Sequence, residues 1–113
     1  MQSAEMHELS LATAVVEACA KRAAGARVLR VRLEIGQLAA VLPDSLRFCF
    51  GICAQGTTVE GAELEILETP GRAICKTCGN TIALSSPFGR CACGGVLRVV
   101  AGDELRVKDM EIA

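Results

Sequence analysis

The chain has 113 residues, an apolar fraction of 51%, and 12 Lys plus Arg against 13 Asp plus Glu. One domain's length with a net charge of −1 and scattered basic residues argues against a nucleic-acid partner, and three Phe with no Trp or Tyr leave a modest, aliphatic core. No apolar stretch approaches the roughly 20 residues that span a bilayer, and no charged leader with a small-residue cleavage site opens the chain, so a cytoplasmic protein without a membrane partner is expected.

The first predicted helix runs from Ser10 to Ala24, a stretch of helix formers in which Leu11, Val15, Cys19 and Ala23 recur at every fourth position. Gly25 stops it. From Val28 to Ile35, Leu29, Val31, Leu33 and Ile35 alternate with Arg30, Arg32 and Glu34, the period of a strand with one buried face, which Gly36 ends. Pro43, whose fixed φ suits a first helical turn, and Asp44, which complements the dipole, open a second helix. Its stripe is Leu46, Cys49, Phe50 and Cys53, so Cys19, Cys49 and Cys53 read as small buried hydrophobes and not as ligands. Gly56 closes that helix, and residues 62–66 alternate as another strand.

Pro70-Gly71 breaks the pattern, which sets a lobe boundary there. Beyond it lies a dense run of thiols, Cys75-Lys-Thr-Cys78-Gly and Cys91-Ala-Cys93-Gly. The first pair has the spacing at which two thiolates reach one ion from a single turn, and a glycine after each pair lets the backbone fold back toward the sulfurs. Four thiolates suit zinc in a closed, structural, tetrahedral site. Seven cysteines are an odd number and the spacing favours metal over a disulfide framework, although redox-active thiols would give the same count. The second pair is C-x-C. Either Cys91 and Cys93 both bind in a strained loop, the reading favoured here, or Cys93 binds and the fourth position is filled otherwise. A lobe this small has too few apolar residues to fold alone, so metal should supply much of its folding free energy.

After the thiols, Val96 to Val100 and Leu105 to Ile112 are strand-like. In the last stretch the apolar phase slips from Leu105 and Val107 to Met110 and Ile112, which a bulge or bend near Lys108-Asp109 explains. The predicted fold class is α+β: a small two-helix lobe on a short β-sheet, with a zinc-ribbon-like lobe inserted before the C-terminal strand. The division expected is 1–70 as one lobe, completed by a returning strand at 104–112, and 71–100 as the zinc lobe.

His7 is the single histidine and stands just ahead of the first predicted helix. A lone histidine there is ordinarily a solvated or capping residue. If translation begins at Met6, however, the free amine, the His7 amide nitrogen and the imidazole form fused chelate rings around one cation, and the Glu8 amide completes a square plane. That geometry suits nickel(II) or copper(II), not zinc.

Met6-His-Glu-Leu-Ser-Leu, Leu33-Glu-Ile-Gly-Gln-Leu with Leu46-Arg-Phe-Cys-Phe after it, Gly56-Thr-Thr-Val-Glu-Gly-Ala, Cys75-x-x-Cys78-Gly and Gly102-Asp-Glu-Leu-Arg-Val together resemble the hydrogenase nickel-incorporation proteins, the HypA/HybF family. The resemblance spans nearly the whole chain. It implies a nickel metallochaperone that is not an enzyme and that, with a GTPase partner, hands nickel to the large subunit of [NiFe]-hydrogenase; in some organisms the family also serves urease. It places nickel at Met6 (through its amine), His7 and Glu8, and zinc at Cys75, Cys78, Cys91 and Cys93. Two departures stand out. Five residues, Met1 to Glu5, precede the family's start and block the Met6 amine in a peptide bond; they are read as a start-site choice or a cloning remnant. Family members usually have C-x-x-C where this chain has Cys91-Ala-Cys93, so Cys91 is the less secure ligand.

The rival from another class is a zinc-ribbon module that binds a protein or nucleic acid without moving nickel. The acidic balance and the absence of stacking aromatics other than Phe88 in that lobe weigh against nucleic acid. A dithiol oxidoreductase using Cys75 and Cys78 would need a low thiol pKa and no metal. A monomer or weak homodimer is expected.

Overall fold

The computed structural model describes residues 4–85 and 89–113, and of residues 4–6 the backbone alone. Phe88 lies outside the described residues. The element order is α1 (Ala4–Ala23), β1 (Val28–Gly36), a 3-10 turn (Gln37–Ala39), α2 (Pro43–Ala54), β2 (Glu63–Thr69), β3 (Gly71–Cys75), β4 (Thr81–Leu84), β5 (Leu97–Ala101) and β6 (Leu105–Ile112). This is the α+β class read from the sequence. Two three-stranded sheets form, in the orders β2-β1-β6 and β4-β3-β5.

The chain divides into two compact units. The first comprises the chain up to Leu33, Val41–Ile66 and Val107–Ala113. Here α1 packs on α2. Ala12, Val15, Val16, Cys19 and Ala23 are buried on α1, and Leu46, Cys49, Phe50 and Ala54 on α2, with Val28, Val31, Leu33, Val59 and Leu64 completing the core. Cys19 and Cys49 are thus the small buried hydrophobes expected, and Cys53 is half-buried with its Sγ 3.4 Å from Thr13 Oγ1. Burial pushes the Cys19 thiol up despite the nearby Arg22.

Two expectations for this unit need correction. The first helix starts at Ala4, not Ser10, so His7 sits inside it and not ahead of it. Ala, Glu, Met and Leu are all good helix formers, so nothing in residues 4–9 delays the start of the helix. Leu29, counted on the buried face of β1, is 46% exposed, and Val28 takes the inner position. In β6 Val107, Asp109 and Met110 are half-buried, whereas Leu105 and Ile112 of the expected apolar set are exposed.

The second unit comprises Glu34–Ala40 and Leu67–Arg106. β3 is its central strand, antiparallel to β4 with Ile74 opposite Thr81, and to β5 with Cys75 opposite Leu97. Strands β3 and β4 were not anticipated, because each is only 4 or 5 residues long and too short to show a period. The apolar cluster is small: Leu38, Ala73 and Leu84, with Ile82 and Leu97 packed against it. Beside it three chain segments cross at van der Waals distance. A Cβ on Gly36 would stand 1.9 Å from the Gly102 carbonyl oxygen, and one on Gly102, at φ +98°, would stand 2.3 Å from the Gly71 Cα. The Leu38 N–H donates to the Gly102 carbonyl at 2.7 Å and the Gly36 N–H to the Glu104 carbonyl at 2.7 Å, so the crossing is bonded as well as tight.

Candidate metal centre

The end of β3 and two turns bring the thiols together. Cys75 closes β3, and its N–H donates to the Asn80 carbonyl at 2.9 Å while the Gly79 N–H donates to the Cys75 carbonyl at 2.9 Å. This double closure holds the Cys75–Cys78 turn against the start of β4. The second turn lies before β5, closed by the Gly94 N–H on the Cys91 carbonyl at 2.9 Å, and the Lys76 N–H ties the two turns by donating to the Val96 carbonyl at 2.8 Å.

The four sulfurs lie within 4.8 Å of one another. Cys75 Sγ is 3.5 Å from Cys93 Sγ, and Cys78 Sγ is 3.6 Å from Cys91 Sγ. Cys75 and Cys91 are buried whereas Cys78 and Cys93 are exposed, so one thiol of each turn faces inward. The C-x-C pair therefore delivers both of its sulfurs to the cluster. Backbone donors face the sulfurs as well: the Cys78 N–H points at Cys75 Sγ at 3.4 Å and the Gly95 N–H at Cys93 Sγ at 3.4 Å.

Crowding splits the thiol acidities. The Cys78 backbone N–H, helped by Thr77 and by the neighbouring thiols, lowers Cys75 to about 6. At Cys91 the Cys93 backbone N–H favours the thiolate, but the sulfur contact with Cys93, burial, and the contacts with Cys78 and Cys75 outweigh it and push the thiol up to about 12. Without a cation the cluster accommodates a first negative charge readily and a last one badly. A divalent ion reverses that order, because each thiolate it binds offsets its charge.

A residue that the sequence reading passed over shapes the centre. A Cβ on Gly95 would stand 2.6 Å from Cys75 Sγ and 2.7 Å from Thr77 Oγ1, so only glycine lets the second turn close on the first. Its signal was the doubled glycine after Cys93, of which the first alone had been assigned a role.

At the other end of the chain, His7 is exposed on α1 and Glu8 is fully buried. The two neighbours thus face in different directions, imidazole to solvent and carboxylate to the core.

The match to known proteins now has a structure to rest on. Residues 6–112 fit the family model described as hydrogenase/urease nickel incorporation, metallochaperone, HypA. The chain belongs to that family. Curated HypA hydrogenase maturation factors include one from Trichormus variabilis, 53% identical over 108 residues that cover 95% of this chain and 96% of the relative, and one from Geobacter metallireducens, 50% identical over 109 residues that cover 95% and 99%. Among solved structures, the solution structure of the Ni metallochaperone HypA from Helicobacter pylori has a TM-score of 0.67 at 21% identity, covering 93% of this chain and 96% of that one. A second HypA solution structure has a TM-score of 0.60 at 23% identity, covering 93% and 92%. The HypA fold is therefore this chain's fold. The family span opens on Met6, the residue from which the nickel reading was argued.

Proposed function

We propose that the protein is a cytoplasmic nickel metallochaperone of hydrogenase maturation, with nickel(II) as cargo at Met6, His7 and Glu8 and zinc as a structural ion at Cys75, Cys78, Cys91 and Cys93. The observation that carries the reading is the family match over residues 6–112, which begins on the Met-His-Glu triplet and includes all four clustered thiols. The two lobes divide the labour, with the helical one carrying nickel and the ribbon held by zinc.

The thiol cluster fits zinc. Tetrahedral zinc at about 2.3 Å from each sulfur sets neighbouring sulfurs about 3.8 Å apart, close to the 3.5 and 3.6 Å found here. Four sulfurs fill the sphere, so bound zinc supplies cross-linking and no open position. We read the chain's role as transport rather than catalysis.

The nickel end works through helix geometry. A chain that begins at Met6 leaves the N–H groups of its first four residues without intrahelical acceptors, so the nitrogens of His7 and Glu8 are free to give up protons to a metal. A helix that runs from Ala4 directs the Glu8 N–H at the carbonyl four residues before it, and Met6 then has no free amine. Nickel held by an exposed imidazole and terminal nitrogens is open to ligand exchange with a GTPase partner and the hydrogenase large subunit, and with urease maturation proteins where those are served.

The test is a pair of metal titrations on zinc-loaded protein beginning at Met6 and at Met1. The Met6 form should bind one nickel with square-planar absorption, and the Met1 form should bind more weakly and without that band. His7→Ala should abolish nickel binding in the Met6 form and leave zinc in place. Loss of both metals together, or indifference of the Met6 form to nickel, would overturn the proposal.

A further inference from the structure

The start of α2 lacks a cap of its own. Its N-cap is Leu42, whose side chain makes no capping hydrogen bond, and Pro43 follows in the first turn. Helices ordinarily begin on Ser, Thr, Asp or Asn, whose oxygen accepts one of the unpaired N–H groups. Here the oxygen comes from another helix. Glu8 of α1 is 0% exposed, and its Oε2 accepts the Leu42 N–H at 2.7 Å.

That arrangement has a cost. Oε1 of Glu8 is buried without a hydrogen-bond partner among the described residues, and Glu8 is the one polar or charged residue in their buried set. A leucine would fill the space without leaving an orphan acceptor. The carboxylate makes sense where fixed geometry is needed more than packing, because a hydrogen bond to the N-cap sets direction as well as distance. One residue earlier stands His7, exposed and pointing the other way.

We infer that the Glu8 carboxylate is a positioning residue for the nickel site, anchoring the first turn of α1 to the N-terminus of α2 so that the His7 imidazole and the His7 and Glu8 nitrogens are held ready for the metal. This rests on the nickel reading above. Glu8 then acts twice: its nitrogen faces the cargo, and its side chain faces the core and stays off the metal. Anchoring removes fraying, so less chain entropy is lost when nickel binds.

Nickel affinity of zinc-loaded protein beginning at Met6, the span of the family match, can be measured by competition with a chromophoric chelator. Glu8→Ala should weaken binding about tenfold, the scale of one charge-assisted hydrogen bond, while the square-planar band at saturation is unchanged. Glu8→Gln keeps an acceptor for Leu42 and should stay within about threefold of wild type. Leu42→Pro deletes the donor at a φ of −90°, near the proline range, and should reproduce the tenfold loss if Glu8→Ala does not fold. Val16→Ala, which loosens the buried face of α1 away from Glu8, should leave affinity within about twofold. Wild-type affinity in Glu8→Ala or Leu42→Pro would overturn the inference. So would Glu8→Gln binding as poorly as Glu8→Ala, which makes the charge a direct ligand, or Val16→Ala matching the loss, which makes it general instability. A wild-type chain that ignores nickel instead removes the underlying functional reading.

Discussion

The two units reach a fixed shape by different means. The helical unit buries Val15, Val16, Leu33, Leu46, Phe50, Val59 and Leu64 along with smaller side chains, mostly aliphatic groups. Each large side chain removed from water contributes about 1.5–3 kcal/mol. The second unit buries Ile35, Leu38, Ala73 and Leu84 among the described residues, and its other buried apolar positions are Cys75 and Cys91, themselves members of the thiol cluster. Sulfur stands there where the first unit has Leu and Val. On the zinc reading, this unit depends on the ion its sulfurs would hold, and the unit built on packing does not.

The sharpest break between the two would be removal of the zinc proposed at the four thiols. Structural zinc supplies about 10–16 kcal/mol to small sites of this type, more than the apolar cluster of the second unit can replace. Stripping zinc, or Cys75→Ser, should therefore unfold β3, β4 and β5 while α1 and α2 persist. Amide exchange would show protection lost from Ala73 and kept at Val16 and Leu46. Uniform loss across both units would mean that the helical core is not self-sufficient. Acid should act in the same direction, because every thiolate must shed its proton to bind a metal and protons compete for the sulfurs as pH falls.

The converse substitution is Leu46→Ala. Leu46 is fully buried in α2, and truncation of such a leucine costs about 2–5 kcal/mol. Far-UV circular dichroism should show the helices melting earlier, while a colorimetric assay finds zinc retained at its original stoichiometry. Release of zinc at the helical transition would refute the independence of the two. A smaller effect is expected from Gly95→Ala, whose Cβ must displace Cys75 Sγ. The fold should survive and zinc affinity should fall roughly tenfold, the lower end of what disturbing groups around a metal's ligands produces. Unchanged affinity would show that the second turn can close without that contact.

Legibility in the sequence followed the same division. The helical unit was readable because period carries packing: Val15, Cys19 and Ala23, and then Leu46, Cys49 and Phe50, are buried as their spacing implied. The start of α1 was misplaced by six residues because an acidic, polar first turn has no apolar stripe to mark it. In the second unit the four cysteines that cluster were singled out by their spacing, with the role of the C-x-C pair left open, whereas β3 and β4 were invisible and Gly95 was passed over. Those depend on which backbone meets which sulfur or carbonyl, a relation between distant residues that no local period records. The Glu8 side chain was hidden for the same reason, since its partner, Leu42, lies in a different element.

The smallest test concerns the exposed face of the first sheet. Arg32 on β1 grips Asp109 on β6 with two hydrogen bonds, Nε to Oδ1 at 2.8 Å and an Nη to Oδ2 at 2.6 Å, and Arg30 reaches Glu111 at 3.0 Å. The side chains of Arg32 and Asp109 are 39% and 46% exposed, so solvent and salt screen the attraction and the pair should matter far less than either core. Arg32 holds the Asp109 carboxyl below its ordinary 3.8. A lowered acid contributes stability in full above its ordinary value and loses it as pH falls through the folded one. Asp109→Asn should therefore lower the unfolding midpoint of zinc-loaded protein by about 3 °C or less near neutrality. The difference should shrink with added salt and narrow in the helical transition as pH drops below 3.8. A gap that persists undiminished in acid and in high salt would mean that Asp109 works through packing or register and not through its charge.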